Sequence, residues 1–206
     1  MNSTIALIRH GITEGNERRL YYGSTNVPLA QRSIDELKQL RAEGIYPDAE
    51  GALIYTTGMG RTNQTLQLIY GDVPHGIIKD MREINFGAFE MKSYEELMAY
   101  EEYRDWITAT NDTKAPPGGE SIRHFNERVI RGFRELRARH SVRSLELRHH
   151  DQEARSIIIC HGGTISAVMA HIWPGVKDNM YGWIPDPGHG YLLLLKDDEI
   201  CEYEEF

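Results

Sequence analysis

Short β-branched or leucine-rich runs alternate along this chain with longer segments of helical period, and that alternation restricts the fold more than any other feature. Ile5 to Ile8 reads as a strand broken at Gly11. Ser33 to Glu43 reads as a helix with Ile34, Leu37 and Leu40 on one face, stopped by Gly44. Ala52 to Tyr55 is a second strand, followed by a helix over Arg61 to Tyr70, and Ile77-Ile78 marks a third, short strand. The pattern from Tyr94 to Ala109 predicts one helix, closed by the Pro116-Pro117-Gly118-Gly119 loop. Residues 120–140 carry the clearest stripe, with Ile122, Phe125, Val129, Phe133 and Leu136 at steps of three and four. Ile157 to Cys160 is a buried-strand run, with a helix over Ile165 to Trp173 after it. Tyr191 to Lys196, Asp197-Asp198 and Ile200 to Tyr203 predict a hairpin at a sheet edge. The expected fold is therefore α/β, a three-layer αβα sandwich whose central sheet is mainly parallel and ends in an antiparallel edge hairpin. No repeat or long linker breaks the pattern, so a single domain over residues 1–206 is expected, with its long loop segments at 17–30 and 90–117.

Charge and composition remove several function classes. The 206 residues carry a net charge of −8, of which −5 lies in the last eleven residues. The body is thus near −3, and no global basic field exists to hold nucleic acid. Eight arginines face three glutamates between Arg123 and Arg148, but the apolar stripe of that segment points inward, so the arginines read as a solvated face. Fully apolar runs such as Leu192 to Leu195 are far shorter than the roughly 20 residues of a membrane helix. Met1-Asn2-Ser3-Thr4 lacks the basic and apolar regions of a secretory leader. Two cysteines, Cys160 and Cys201, are too few for a disulfide framework or a Cys-based zinc site, and His149-His150 has no partner at ligand spacing. The expectation is a cytoplasmic protein with no metal or other cofactor, no membrane contact and no nucleic-acid partner.

In sheets of this kind ligands lie beyond the carboxyl ends of the strands. The first strand ends in Arg9-His10-Gly11, the second leads to Arg61, the third to Glu83, and the late strand to His161-Gly162-Gly163. Two guanidinium forks at one rim suit a tetrahedral or planar oxyanion. The glycines allow backbone N–H groups to approach closely, and a helix opening at Gly162 favours an anion at its N-terminus. A neutral imidazole there is a competent nucleophile toward phosphorus, and a protonated carboxyl supplies the leaving alkoxide with its proton.

The stretch Leu7-Ile8-Arg9-His10-Gly11-Ile12-Thr13-Glu14-Gly15-Asn16 resembles the signature of the histidine phosphatase superfamily, the phosphoglycerate mutase-like fold. The resemblance continues through residues 22–29, Arg61 to Thr65, Arg82 to Gly87, Gly118-Gly119-Glu120-Ser121 with Phe125 and Arg128-Val129, and His161-Gly162-Gly163. It implies that His10 becomes phosphohistidine and that Arg9, Arg61 and His161 complete the phosphate pocket, joined by Asn16 and the backbone N–H of Gly162. Glu83 is implied as proton donor and then as the base that activates water. No metal is implied.

Three positions depart from the common pattern. Ser33 lies near where a glycine usually follows Pro28-Leu29, Thr56-Thr57 replaces a serine pair, and Met91 stands where a glycine often follows Phe89-Glu90. Tyr21, Tyr22, Tyr100, Tyr103 and Trp106 are candidates for the substrate pocket, with structural packing as their more common fate. Phosphoglycerate mutases of the family it resembles usually carry a longer insertion with extra basic substrate contacts after the acid residue. The segment from Phe86 to Gly119 is instead short, rich in Glu and Tyr and poor in basic residues, so the resemblance implies hydrolysis of a small phosphomonoester over the mutase reaction. It is most similar to small phosphatases of the α-ribazole phosphatase or sugar-phosphate type. The alternatives are a phosphoglycerate mutase and, from another class, a non-catalytic phosphate-binding or interaction module. A homodimer is the candidate assembly, with the hairpin at 191–206 as one candidate interface.

Overall fold

The computed structural model describes residues 2–150 and 152–206; Met1 and Asp151 lie outside the described residues. In chain order the strands are β1 (Asn2–Arg9), β2 (Leu20–Tyr21), β3 (Leu53–Thr56), β4 (Gly76–Ile77), β5 (Lys92–Ser93), β6 (Ala154–Cys160), β7 (Gly190–Lys196) and β8 (Glu199–Glu205). The helices are α1 (Glu14–Glu17), α2 (Gln31–Glu43), α3 (Gly60–Tyr70), α4 (Tyr94–Leu97), α5 (Glu101–Ile107), α6 (Ile122–Arg148) and α7 (Gly162–Ile172). Six strands form one sheet in the order β4-β3-β6-β1-β7-β8. The first four run parallel, β7 pairs antiparallel with β1, and β8 returns antiparallel to β7.

Strand alternation separates two apolar layers. Ile5 and Leu7 of β1, with Ile158 and Cys160 of β6, pack under α6 and α7 against Phe125, Val129, Phe133, Ile165 and Val168. Their sequence neighbours Ala6, Ile8, Ile157 and Ile159 face the other way, onto Leu37 of α2 and Leu66 and Ile69 of α3. Both faces of the central strands are covered, so β1 and β6 read as unbroken apolar runs. The result is the expected αβα sandwich. Its edge hairpin turns through Asp197-Asp198, both at positive φ, as a two-residue turn with right-handed strand twist requires. Exposed β8 presents Glu199, Glu202, Glu204 and Glu205, a row of like charge that opposes edge pairing with another acidic strand.

The single helix expected over Tyr94 to Ala109 is instead two. A Ser93–Glu96 capping box starts α4, and the chain is extended at Tyr100 before α5 begins. Leu97 and Tyr103 both bury in one small cluster with Phe89. In an unbroken helix, residues six apart lie roughly 240° round the axis and cannot share a face. The long helix expected over 120–140 starts as expected and runs on to Arg148.

The two-stranded ribbon of β2 and β5 pairs Leu20 with Ser93 and Tyr21 with Lys92, joining the segments 17–30 and 90–117 into one structure above the sheet's carboxyl ends. Met91, just before β5, has φ +61°, the left-handed region that favours glycine.

Candidate active site

The carboxyl ends of β1, β3 and β6 meet under a cavity of about 360 Å³ lined by Arg9, His10, Asn16, Arg61, Glu83 and Gly162, among others. His10 follows β1 directly and its amide donates to the Cys160 carbonyl, so the sheet's own pairing fixes where the ring starts. His10 Nδ1 lies 2.7 Å from the carbonyl oxygen of Gly11. A carbonyl only accepts, so Nδ1 carries the proton and Nε2 carries the lone pair. Burial, then the positive charge of Arg61 and Arg9, hold the His10 pKa well below the ordinary 6.5. The ring is therefore neutral near neutral pH, with a free nitrogen for attack.

Arg61 opens α3 and is fully buried. Its Nη1 and Nη2 donate to the carbonyls of Thr25 and Gly23 at 3.0 and 2.7 Å, and its Nε to His161 Nδ1 at 3.3 Å. Arg9 donates Nη1 to the Pro185 carbonyl, while its buried Nε–H has no partner among the described residues. An unpaired buried donor on a guanidinium lining a cavity is the condition an oxyanion relieves. Asn16 uses its Oδ1 to accept from the Thr13 amide and hydroxyl, which leaves its Nδ2 as the donor end. Gly162 is the first residue of the eleven-residue α7, where amide groups are free of intrahelical partners.

Glu83 sits opposite, its carboxyl accepting from the amides of Ile84 and Gly163, each at 2.9 Å. A Cβ on Gly163 would lie 2.4 Å from Glu83 Oε1, so that glycine makes room for the acid.

His161 is brought to the site but does not line the cavity. Its ring stands edge-on to His10, with centroids 5.3 Å apart. Nδ1 takes the Arg61 Nε–H, so Nε2 carries the proton and donates to Thr57 Oγ1 at 2.9 Å. Thr62, whose hydroxyl donates to the Met59 carbonyl, lies next to Thr57 Oγ1 and accepts from it. Burial first, then Arg61 and His10, keep the His161 pKa well below 6.5. Both ring nitrogens of His161 thus have protein partners, Thr57 and Arg61.

Three further residues hold this arrangement. Glu90 accepts from the amides of Gly23, Ser24 and Phe86 on Oε1 and of Thr25 on Oε2, fixing the loop whose carbonyls grip Arg61. Burial pushes its pKa up, and those hydrogen bonds outweigh it and hold it low. Arg128 is no solvated arginine: it grips Glu120 with Nε and Nη2 at 2.8 and 2.7 Å and donates to the Asp80 and Arg82 carbonyls just before Glu83. Thr57 is the third. The sequence marks Thr57 only as half of the threonine pair in place of serines and Glu90 only as the residue before Met91, because their partners are mainly backbone atoms or a buried ring.

Of the candidate aromatic residues, Tyr21, Tyr22 and Trp106 line the cavity. Tyr103 is buried behind it, its hydroxyl 2.7 Å from that of Tyr21, and Tyr100 is exposed under the Lys92 ammonium. No group of three or more His, Cys, Asp or Glu side chains is placed to hold a metal ion among the described residues. No helix among them is long and apolar enough to cross a membrane.

Comparison with known proteins places these residues in a family context. The model of the histidine phosphatase superfamily (branch 1) matches residues 5–199. The chain is 28% identical over 190 residues to the adenosylcobalamin/alpha-ribazole phosphatase of Escherichia coli K12, covering 88% of this chain and 85% of that protein. It is 27% identical over 172 residues to a protein of Escherichia coli O1:K1 named "Probable phosphoglycerate mutase GpmB", covering 82% and 74%. The crystal structure of the alpha-ribazole phosphatase from Shigella flexneri superposes with a TM-score of 0.71 at 27% identity, over 95% of this chain and 92% of that one.

Proposed function

The chain belongs to the histidine phosphatase superfamily, branch 1, and on that premise we propose that it is a phosphomonoester hydrolase working through a phosphohistidine on His10. The observation that carries the proposal is the His10 Nδ1–Gly11 hydrogen bond, which leaves Nε2 unprotonated on a cavity lined by two arginines.

His10 Nε2 attacks phosphorus, forming the P–N bond as the P–O ester bond breaks. The leaving oxygen takes the proton of the Glu83 carboxyl. Water then attacks the phosphohistidine, gives a proton to the Glu83 carboxylate and releases inorganic phosphate, and the P–N pair returns to Nε2. Arg9, Arg61, the Asn16 amide and the Gly162 N–H neutralise the oxygens of the transferring group. His161 acts from behind, orienting Arg61 through Nδ1 and adjoining the His10 ring. The segments 17–30 and 90–117 serve as a cap within one domain spanning residues 1–206.

The names of the relatives make α-ribazole 5′-phosphate a candidate substrate beside sugar phosphates, and the reaction runs in a cytoplasmic setting without metal. The mutase reading has support from the GpmB relative. Against it, the lining of the cavity holds no Lys or Arg besides Arg9 and Arg61 to take a glycerate carboxylate. The test is phosphate release from a panel of phosphomonoesters in EDTA beside a 3-phosphoglycerate mutase assay. Hydrolysis that survives EDTA and is lost in a folded His10→Ala variant is expected. Mutase turnover without net hydrolysis would move the protein to the rival reaction. Phosphate binding with no phosphohistidine formed would make it a binding module. Size-exclusion chromatography of the same preparation tests the homodimer.

A further inference from the structure

The cavity has two chemically distinct halves. Its floor, from the strand ends and the start of α7, holds the charged groups Arg9, His10, Arg61 and Glu83. Its walls come from the cap, from the start of α6 and from the turn at Met180–Trp183, and include Trp106, Ile107, Ile122, Met180, Tyr181 and Ile184. A phosphoryl group fills only part of 360 Å³. The remainder is bounded by apolar surface.

Two of the three tyrosine hydroxyls on the walls, those of Tyr21 and Tyr22, are already engaged. Tyr21 pairs with the Tyr103 hydroxyl, and Tyr22 with the hydroxyl of Thr13, whose own proton goes to Asn16. Trp106 is locked by ring contacts with Tyr21, Phe86, Phe89 and Tyr103, so one wall is a rigid aromatic surface. The wall that carries Tyr181 differs. Tyr181 lines the cavity yet is 71% exposed, and no aromatic ring or cation lies against it among the described residues. Ile107 lines the same cavity at 45% exposure. Two large apolar side chains left in water at the mouth of a charged site are a binding surface without its ligand.

We infer that the alcohol half of the substrate is an uncharged group with a broad flat apolar face, held between Trp106–Ile107 and Tyr181. The inference rests on the phosphatase reading for turnover but not for binding. A polyol or carboxylate-bearing alcohol would lose hydration against these walls and gain no polar partner there beyond the exposed Tyr181 hydroxyl. An aromatic or other flat apolar group buries its face and stacks on Tyr181.

Two primary-alcohol esters test it with matched chemistry at phosphorus: 2-(2-naphthyl)ethyl phosphate and glycerol 1-phosphate. The expected result is a kcat/KM at least about tenfold higher for the naphthyl ester, carried by KM. In Tyr181→Ala that ratio falls by about tenfold, and in Tyr181→Phe it persists, because the ring and not the hydroxyl is the contact. Equal kcat/KM for both esters, or an unchanged ratio in Tyr181→Ala, would overturn the inference. Calorimetric binding of 2-(2-naphthyl)ethylphosphonate against ethylphosphonate reads the walls without turnover. If neither ester is hydrolysed while the naphthyl phosphonate binds preferentially, the phosphatase reading fails and the wall assignment stands. Equal binding of the two phosphonates sinks the assignment by itself.

Discussion

Arg61 Nε donates to His161 Nδ1, and this one contact fixes the protonation pattern of the whole wall behind the site. It forces the His161 proton onto Nε2 and so toward Thr57 Oγ1, whose own proton passes to Thr62 and leaves Thr62 bonded to the Met59 carbonyl. Each hydroxyl in the row has one acceptor and one donor, and none is spare.

Thr57→Val keeps the shape and removes the acceptor. The buried His161 N–H is then unpaired, at a cost of about 1–3 kcal/mol. Stability measured by urea unfolding falls by that amount, and kcat falls with it as His161 releases Arg61. Thr57→Ser restores both, since it returns the oxygen. A valine variant with wild-type stability and kcat would show that the row has no such role.

Three buried histidines set the acid limit of the fold. His10, His161 and His140, which bridges the Ser3 and Ser156 hydroxyls at 2.9 Å each, all have pKa values lowered from 6.5, chiefly by burial. Below about 6.5 the unfolded chain takes up protons that the folded one refuses, so stability is full above that pH and is lost as pH falls through the folded values. Tm is expected to hold near neutral pH and to drop steadily from about pH 6.5 downward. The rate should not show an acid limb near 6.5 from His10, because its ring is already neutral there. An acid limb near 6.5 in single-turnover phosphohistidine formation, matched by titration of the His10 ring near 6.5 in NMR, would contradict this.

Met91 records why a glycine often stands at its position. Its φ of +61° is dictated by the tight approach of its amide to the Tyr21 carbonyl at 2.7 Å, which starts the β2–β5 ribbon. A side chain in that region costs about 1–2 kcal/mol, partly offset by the greater freedom glycine loses on folding. Met91→Gly should raise stability by about 0.5–1 kcal/mol, read as a higher denaturant midpoint at unchanged m. A lower midpoint would mean that the half-exposed Met91 side chain packs more than its backbone strains.

Much of this site is legible in one sequence because its chemistry sits where strands end. Arg9-His10-Gly11 and His161-Gly162-Gly163 are strand-end residues followed by glycines, and the parallel pairing of β1 with β6, Arg9 beside Cys160, places them on one rim. What stayed hidden acts through main chain or through loops far apart in sequence. Glu90 serves four amides, three of them some 65 residues away, and Arg128 looks like its seven neighbouring arginines until the Asp80–Glu83 turn folds beneath it. The break in the 94–109 helix was invisible for a related reason. The helical period persists across Tyr100, and only the shared burial of Leu97 and Tyr103 demands that the axis restart.

Gly163 offers the sharpest separation of chemistry from folding. A Cβ there would stand 2.4 Å from Glu83 Oε1 and 3.1 Å from its Cδ and Oε2. The obstructed atoms are the end of a flexible side chain, so the carboxyl swings aside while α7 persists, and alanine suits a helix better than glycine by up to about 1 kcal/mol. Gly163→Ala should therefore keep its Tm and lose kcat. If Glu83 is the acid, the loss depends on the leaving group. An alkyl phosphate, whose alkoxide needs a proton to depart, should slow by about 100-fold or more. p-Nitrophenyl phosphate, whose phenolate leaves unaided, should retain most of its rate of phosphohistidine formation in a single-turnover measurement. Equal slowing of both esters would show that Glu83 positions the substrate rather than protonating it.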